Sequence, residues 1–268
     1  MRFKFQGLIV NIIVFTLGIL SLLAPFMLPQ ARNSDFSNAS FPIIVSLIII
    51  LCVLLTLFEI QSAGLDNKMV AFLGVLIALN AGLRFLENAI PGPAGLSPTF
   101  FLIIIVGYSF GGRMGFLMGA MTMFVSGLIT GGVGPWLPGQ MITAGWVGQS
   151  AGLLHASLKG SRWQGKPAEI VVLAIFGGFW GLLYGAIMNL WFWPFLAGAS
   201  GQTWLQNASL AENIGRYSAY YVATSLIWDV TRAVGNILII SLMSRAVLKI
   251  FTRFDRRFSF QVNQEQTQ

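Results

Sequence analysis

The sequence predicts an all-α, polytopic membrane protein, and two observations carry that prediction. Of the 268 residues, 56% are hydrophobic and only 9% are charged, against roughly a quarter charged in a typical soluble domain. Several apolar runs also approach or exceed the ~20 residues that a membrane-crossing helix needs. The net charge of +7 does not point to nucleic acid, because the basic residues stand between apolar spans and no RNA- or DNA-binding motif occurs. Cys52 is the single cysteine and lies inside an apolar run, which excludes an intrachain disulfide or a cysteine-based metal cluster.

The elements follow in order. A first helix at 8–28 trails Arg2 and Lys4; Pro25 and Pro29 make a poor small-residue cleavage site, so it reads as an uncleaved span. A second follows at 41–60. The polar stretch 61–68 is then the clearest break in the chain. It separates an N-terminal two-helix membrane extension, 1–67, from a six-helix membrane core, 68–250, which ends in a basic tail, 251–268. The core helices are expected at 69–90, 98–110, 113–130, 140–158, 168–196 and 219–250. The second of these would rise only ~20 Å against a ~30 Å hydrocarbon layer. Pro98 starts it and Gly111-Gly112 end it, which fits a short or tilted helix. In the tail, Arg253, Arg256 and Arg257 mix with Phe251, Phe254, Phe258 and Phe260, a pattern for lying along the inner membrane surface. Residues 261–268 read as disordered.

Orientation follows from the basic residues in the connections. Eight spans with an inside N-terminus place 12 of the 16 lysines and arginines inside; Arg32, Arg84, Arg216 and Arg232 fall in outer loops or outer halves. The expectation is a multi-pass protein of a prokaryotic plasma membrane with both termini cytoplasmic. Connections 31–40, 91–97 and 197–218 then face outward.

So does the stretch Gly131-Gly132-Val133-Gly134-Pro135-Trp136-Leu137-Pro138-Gly139-Gln140, which is expected to be a loop between two apolar segments. Non-helical backbone at membrane depth survives only where it is buried in protein or lines a cavity. The loop therefore marks a ligand site, with Trp136 as its aromatic and Gln140 as its amide.

Polar residues of the outer half extend that site. Asn80, Arg84 and Glu87 stand near the outer end of the first core helix, where Arg84 and Glu87 at i, i+3 can also simply pair. Trp228, Asp229, Arg232 and Asn236 fall within about two turns of the last helix. Ionisable groups inside a span are costly and mark either a site or a matched internal pair; Asp229 and Arg232 suit both readings. Tyr184, Trp191 and Trp193 on the fifth core helix, with Tyr217, Tyr220 and Tyr221, form an aromatic belt or the wall of an outward pocket. The substrate-binding set is thus Trp136, Gln140, Asn80, Arg84, Tyr184, Asn189, Trp228, Asp229 and Arg232. Gly74, Ala78 and Gly82 form a flat small-residue stripe, open either to packing within the bundle or to docking of a second membrane protein. Gly115 and Gly119 form a second such pair, expected to be internal.

Some classes lack their residues. No phosphate-binding Gly-x-x-x-x-Gly-Lys-Ser/Thr loop occurs, so the chain cannot power ATP-driven transport by itself. An intramembrane enzyme needs a nucleophile–base pair or metal ligands, and the one histidine, His155, stands near the inner end of its helix. Neither catalytic residues, nor a metal, nor a cofactor are expected. A stand-alone secondary carrier or a membrane scaffold is the alternative, although no internal repeat is evident.

Residues 69–158 resemble the membrane-embedded substrate-binding (S) components of energy-coupling factor (ECF) transporters, the vitamin importers of prokaryotes. The resemblance runs through Gly74/Ala78/Gly82, the run Phe100-Phe101-Leu102-Ile103-Ile104-Ile105-Val106-Gly107-Tyr108-Ser109-Phe110-Gly111-Gly112-Arg113-Met114-Gly115, and the Pro135-Trp136-x-Pro138-x-Gln140 loop. It closes on Gly145-Trp146-Val147-Gly148-Gln149-Ser150-Ala151-Gly152-Leu153-Leu154. It implies a six-helix S-component core with an outward-open pocket, here preceded by two extra helices. It also implies an alanine-rich face on the first core helix, occupied here by Gly74, Ala78 and Gly82, that docks a transmembrane coupling (T) protein joined to two cytoplasmic ATPases. The Pro-Trp-x-Pro-x-Gln loop is similar to loops of S components linked to cobalamin uptake, which makes cobalamin the leading vitamin and riboflavin its rival.

Overall fold

In lipid each backbone amide must be satisfied within its own segment, and the computed structural model shows helices throughout the core. It describes residues 67–89, 97–134, 136–196 and 201–265, with side chains as far as 254, and a few helical positions between 16 and 26. Seven α-helices follow one another among the described residues: α1 (Asn67–Ala89), α2 (Thr99–Phe110), α3 (Gly112–Thr130), α4 (Leu137–Leu158), α5 (Pro167–Phe192), α6 (Leu210–Thr224) and α7 (Leu226–Glu265). A single 3₁₀ turn, Trp193–Phe195, ends α5. Among the described residues four helices, α1, α3, α5 and α7, are long and apolar enough to cross a membrane.

Helix α2 is the short one, 12 residues or about 18 Å of rise. It is apolar on every side, and Thr99 through Tyr108 are all buried. A helix hydrophobic all round belongs in the interior, and α2 accordingly packs on α3, α4 and α7. Its link to α3 is the single residue Gly111, whose φ of 94° is open to glycine at little cost.

Two glycine-lined crossings hold the bundle together. In the first, Gly107 of α2, Gly115 and Gly119 of α3, and Gly148 and Gly152 of α4 bring the backbones into contact: a Cβ on Gly115 or Gly148 would run into the other's carbonyl. The pair Gly115/Gly119 is internal, as its sequence reading expects. The second crossing joins α5 to α7. Gly177, Gly181 and Gly185 recur every four residues along α5 and admit Ile240, Ala233 and Asp229 of α7. Small residues allow such close approach where no hydrophobic force drives helices together in lipid. The helices thus fall into two groups, α1 with α3 and α4, and α5 with α7, with α2 and α4 bridging them.

Three expectations are corrected. The connection 197–218 holds α6, started by Ser209, whose side chain accepts from the Glu212 amide. The capping box Ser209-x-x-Glu212 was the overlooked signal. The helix expected at 219–250 is divided at Ser225, and α7 then runs unbroken to Glu265, through residues expected to be disordered. Leu137–Gln140 are the first turn of α4 rather than loop, with Pro138 where its missing N–H costs nothing. Among the described residues, 67–265 hold seven α-helices where six are expected. The expected helix at 41–60, and most of the one at 8–28, lie outside the described residues. Of the latter, Gly18 lies against Ile142 and Trp146, and Phe26 against Trp204 at 5.0 Å between ring centroids.

Candidate functional site

Asn80, Arg84 and Glu87 recur at i, i+4 and i+7 along α1, a spacing that puts them on one face. That face looks into the bundle. Asn80 is fully buried; its amide donates to the Thr99 carbonyl at 3.1 Å and to Thr122 Oγ1 at 3.2 Å. Arg84 donates to Ser126 Oγ at 2.6 Å and to Gln140 Oε1 at 3.4 Å. Glu87 accepts from Ser97 and Thr99 at the start of α2, at 2.9 and 3.3 Å. Two turns of α1 are tied in this way to the start of α2, to α3 and to the start of α4.

Helix α7 supplies the opposing charges. Asp229 is buried and accepts from Arg232 Nη1 at 2.5 Å and from the Tyr221 hydroxyl at 2.8 Å. Arg232 also donates to the Gly181 carbonyl at 3.3 Å and stands 5.9 Å from the centre of the Tyr184 ring. Asn236, one turn further, donates to the Gly177 carbonyl at 2.9 Å. Tyr184 is buried and meets Phe100 edge-on at 4.8 Å. Its hydroxyl reaches Met123 Sδ of α3 at 4.0 Å while Arg232 of α7 stands over its ring, so Tyr184 spans the seam between the two helix groups.

Helix α6 covers this end. Tyr217 donates to the Ala186 carbonyl at 2.5 Å, Tyr220 to Asn189 Oδ1 at 3.5 Å, and Tyr221 to Asp229. Burial pushes the Tyr217 phenol above its ordinary range, and the neighbouring Tyr221, Tyr220 and Asp229 add to the effect. Burial likewise raises Tyr221, helped by its hydrogen bond to Asp229. The covering loop is fastened to the bundle by Trp193 Nε1, which donates to the Gln202 carbonyl at 2.8 Å. Asn213 of α6 exchanges two hydrogen bonds with the Leu205 backbone.

The sequence-derived residues therefore separate. Asn80, Arg84, Gln140, Tyr184, Asp229 and Arg232 come together across the seam between the helix groups. Asn189 borders them under α6, its amide spent on the Gly185 carbonyl at 2.8 Å. Trp136 folds back onto its own loop: its Nε1 donates to the Gly132 carbonyl at 3.2 Å, and its ring lies 6.1 Å from Phe192. Trp228 is 53% exposed and turned away from the cluster. Glu87 and Tyr221, which the sequence also singles out, join the site; Thr122 and Ser126 join it through contacts between helices distant in sequence, which no local pattern reveals.

Gly74 and Gly82 face outward on α1, with nothing within 4 Å of where a Cβ would stand, and Ala78 between them is exposed. At the opposite end of the bundle from Trp136, a cavity of about 600 Å³ opens between the ends of α2 and α4, the start of α5, and α7.

An all-helical bundle with opposed charges enclosed in its apolar body is a membrane protein with an intramembrane polar site. The chain belongs to the substrate-specific components of ECF transporters: the family model matches residues 68–244, about two thirds of its length. Comparison with characterised proteins and with solved structures finds no significant match. Membership makes the chain a membrane-embedded substrate-binding subunit rather than an enzyme, one that takes a small molecule and works with a T protein and ATPases.

Proposed function

We propose that this subunit captures a vitamin, cobalamin first among the candidates, at the Trp136 end of the bundle. The observation that carries the reading is the gathering of four ionisable side chains inside this end of the bundle: Arg84 and Glu87 of α1, bonded to Ser126, Gln140, Ser97 and Thr99, and the Asp229–Arg232 pair of α7, whose arginine stands over the Tyr184 ring. Ionisable side chains inside a span are expensive, and a site is the default reason to keep them. In this reading Arg84, Arg232 and Gln140 hold polar substituents of the ligand, Asn80 and Asn189 fix the walls, and Tyr184 and Trp136 supply ring surface. The many aromatics at this end, Trp191, Trp193, Trp204, Tyr217 and Tyr220 among them, suit a large ring system. The Pro135-Trp136-x-Pro138-x-Gln140 motif is the ground for preferring cobalamin over riboflavin.

Asp229 and Arg232 now satisfy each other, so a ligand must exchange partners with them. Such an exchange lets affinity differ between two states of the bundle, and a ligand bound equally to both would shift neither. The exposed stripe Gly74/Ala78/Gly82 is the proposed docking face for the T protein, which with its ATPases would tilt the bundle. Lys159, Arg162 and Lys166 connect α4 to α5, and Arg245, Lys249 and Arg253 follow on α7 at the same end. The preference for positive charge on the cytoplasmic side puts that end inside and the Trp136 end outside.

The test is titration of the purified chain in nanodiscs with a panel of vitamins, followed by tryptophan fluorescence and calorimetry. Cobalamin is expected to bind, and Arg84→Gln or Arg232→Gln to weaken it roughly tenfold, the loss of one charge-assisted hydrogen bond. Binding of riboflavin alone would replace the substrate and leave the site. A panel without any binder would end the reading.

A further inference from the structure

The cavity at the His155 end is not used by solute capture at the other end. Lys166, Arg245 and Lys249 line it, and among the described residues no ion pair engages any of the three. The one carboxylate among its described lining residues, Glu169, is already taken: one oxygen accepts from the Tyr108 hydroxyl and the other from the Gly165 amide at 2.7 Å. Two further wall residues carry buried polar atoms with no hydrogen-bond partner, Ser109 Oγ and His155 Nδ1. Beside these polar groups the wall is apolar, with Ile170, Leu248 and Phe251. The acid is engaged within the protein, while the three exposed cations have no ion-pair partner among the described residues.

Basic residues at this end also serve topology, but topology asks for no particular arrangement. Lys159 and Arg162 meet that need from outside the cavity wall. By contrast, Lys166 from the head of α5 meets Arg245 and Lys249, one turn apart on α7, across a concave space of ligand size. Three cations against one engaged carboxylate leave the space electropositive, and lysine and arginine are the side chains that recognise phosphoryl oxygens.

We propose that this cavity is a second ligand site that binds a phosphate ester. Lys166, Arg245 and Lys249 hold the phosphoryl oxygens, and Ile170, Leu248 and Phe251 receive the organic part. An anionic phospholipid and a soluble phosphomonoester share that chemistry, and the two arms of the test separate them.

The full chain is placed in phosphatidylcholine nanodiscs, and its unfolding temperature is followed as phosphatidylglycerol is mixed into the bilayer or adenosine monophosphate is added to the buffer. One arm is expected to raise it saturably, naming the source. The triple variant K166Q/R245Q/K249Q is expected to lose at least roughly tenfold in apparent affinity, the scale of one charged hydrogen bond. Its single variants K166Q and R245Q, at exposed positions, each lose part of that should the triple variant fail to insert. The control K159Q/R162Q, at the same end but outside the cavity, keeps full affinity. An absent shift in both arms overturns the proposal. So does an equal loss in the control, which would reduce the effect to general surface charge.

Discussion

Gly185 of α5 is the floor on which Asp229 of α7 rests: a Cβ on Gly185 would run into both carboxylate oxygens. The absence of one methyl group thus admits a buried carboxylate to the interface, and Arg232 and Tyr221 then meet it there. The site and the α5–α7 packing are one construction. Gly185→Ala is accordingly expected to dislodge Asp229 and break both hydrogen bonds, lowering stability by about 2–4 kcal/mol through overpacking and an unpaired polar group. Thermal unfolding in detergent measures this; an unchanged midpoint would mean that the interface yields freely.

Removing one partner of a buried ion pair costs far more than removing both. Arg232→Met should therefore destabilise by about 3–5 kcal/mol, whereas Arg232→Met combined with Asp229→Leu should recover most of the loss. The double-mutant cycle reads the coupling. The double variant should nevertheless fail to bind any vitamin that the unmodified chain binds, which separates the structural role of the pair from its role toward ligand.

The two small-residue stripes should respond in opposite ways. Gly148→Ala forces α3 and α4 apart and is expected to cost about 1–3 kcal/mol or prevent folding. Gly74→Ala and Gly82→Ala meet open space and should stabilise α1 by roughly 0.5–1 kcal/mol each. Gly74→Leu and Gly82→Leu should leave folding and vitamin binding intact while weakening co-purification with a co-expressed T protein. Unweakened co-purification would place the docking face elsewhere.

Alkaline pH should release α6. The phenols of Tyr217 and Tyr221 are raised by burial above the ordinary value of 10.0, so the folded state keeps protons that the unfolded state gives up. Their contribution is fully present below about pH 10 and falls as pH climbs through the raised folded values. Proteolysis at the 201–209 connection is expected to accelerate there. Tyr217→Phe with Tyr221→Phe should flatten that pH dependence, because the variant has no phenol at either position to titrate.

Trp136 should report the integrity of its own loop. Gly134→Ala would place a methyl 2.5–2.8 Å from the indole, expelling the ring toward solvent and shifting its emission to the red. Trp136→Phe keeps the ring surface but loses the bond to the Gly132 carbonyl, at about 1 kcal/mol.

The sequence by itself determined the membrane class, the helical character and five of the core helices to within a few residues, because lipid allows one local solution for a 20-residue apolar run. It also singled out Asn80, Arg84, Asp229 and Arg232, since a polar or charged side chain in an apolar span is conspicuous wherever it points. Only the tertiary structure decided where they point. Trp228 and Asp229 are chain neighbours with equal claims, yet a turn of 100° per residue sends one outward and the other against Gly185. The same holds for the stripes: Gly74/Gly82 and Gly115/Gly119 share a spacing of small residues, and what packs against each face made one external and the other internal. Helix α6 escaped because its apolar residues form a stripe rather than a run, and its three tyrosines find their partners on α5 and α7. Local pattern sets the helices; the choice of neighbour, made by close packing and by hydrogen bonds between distant segments, sets the site.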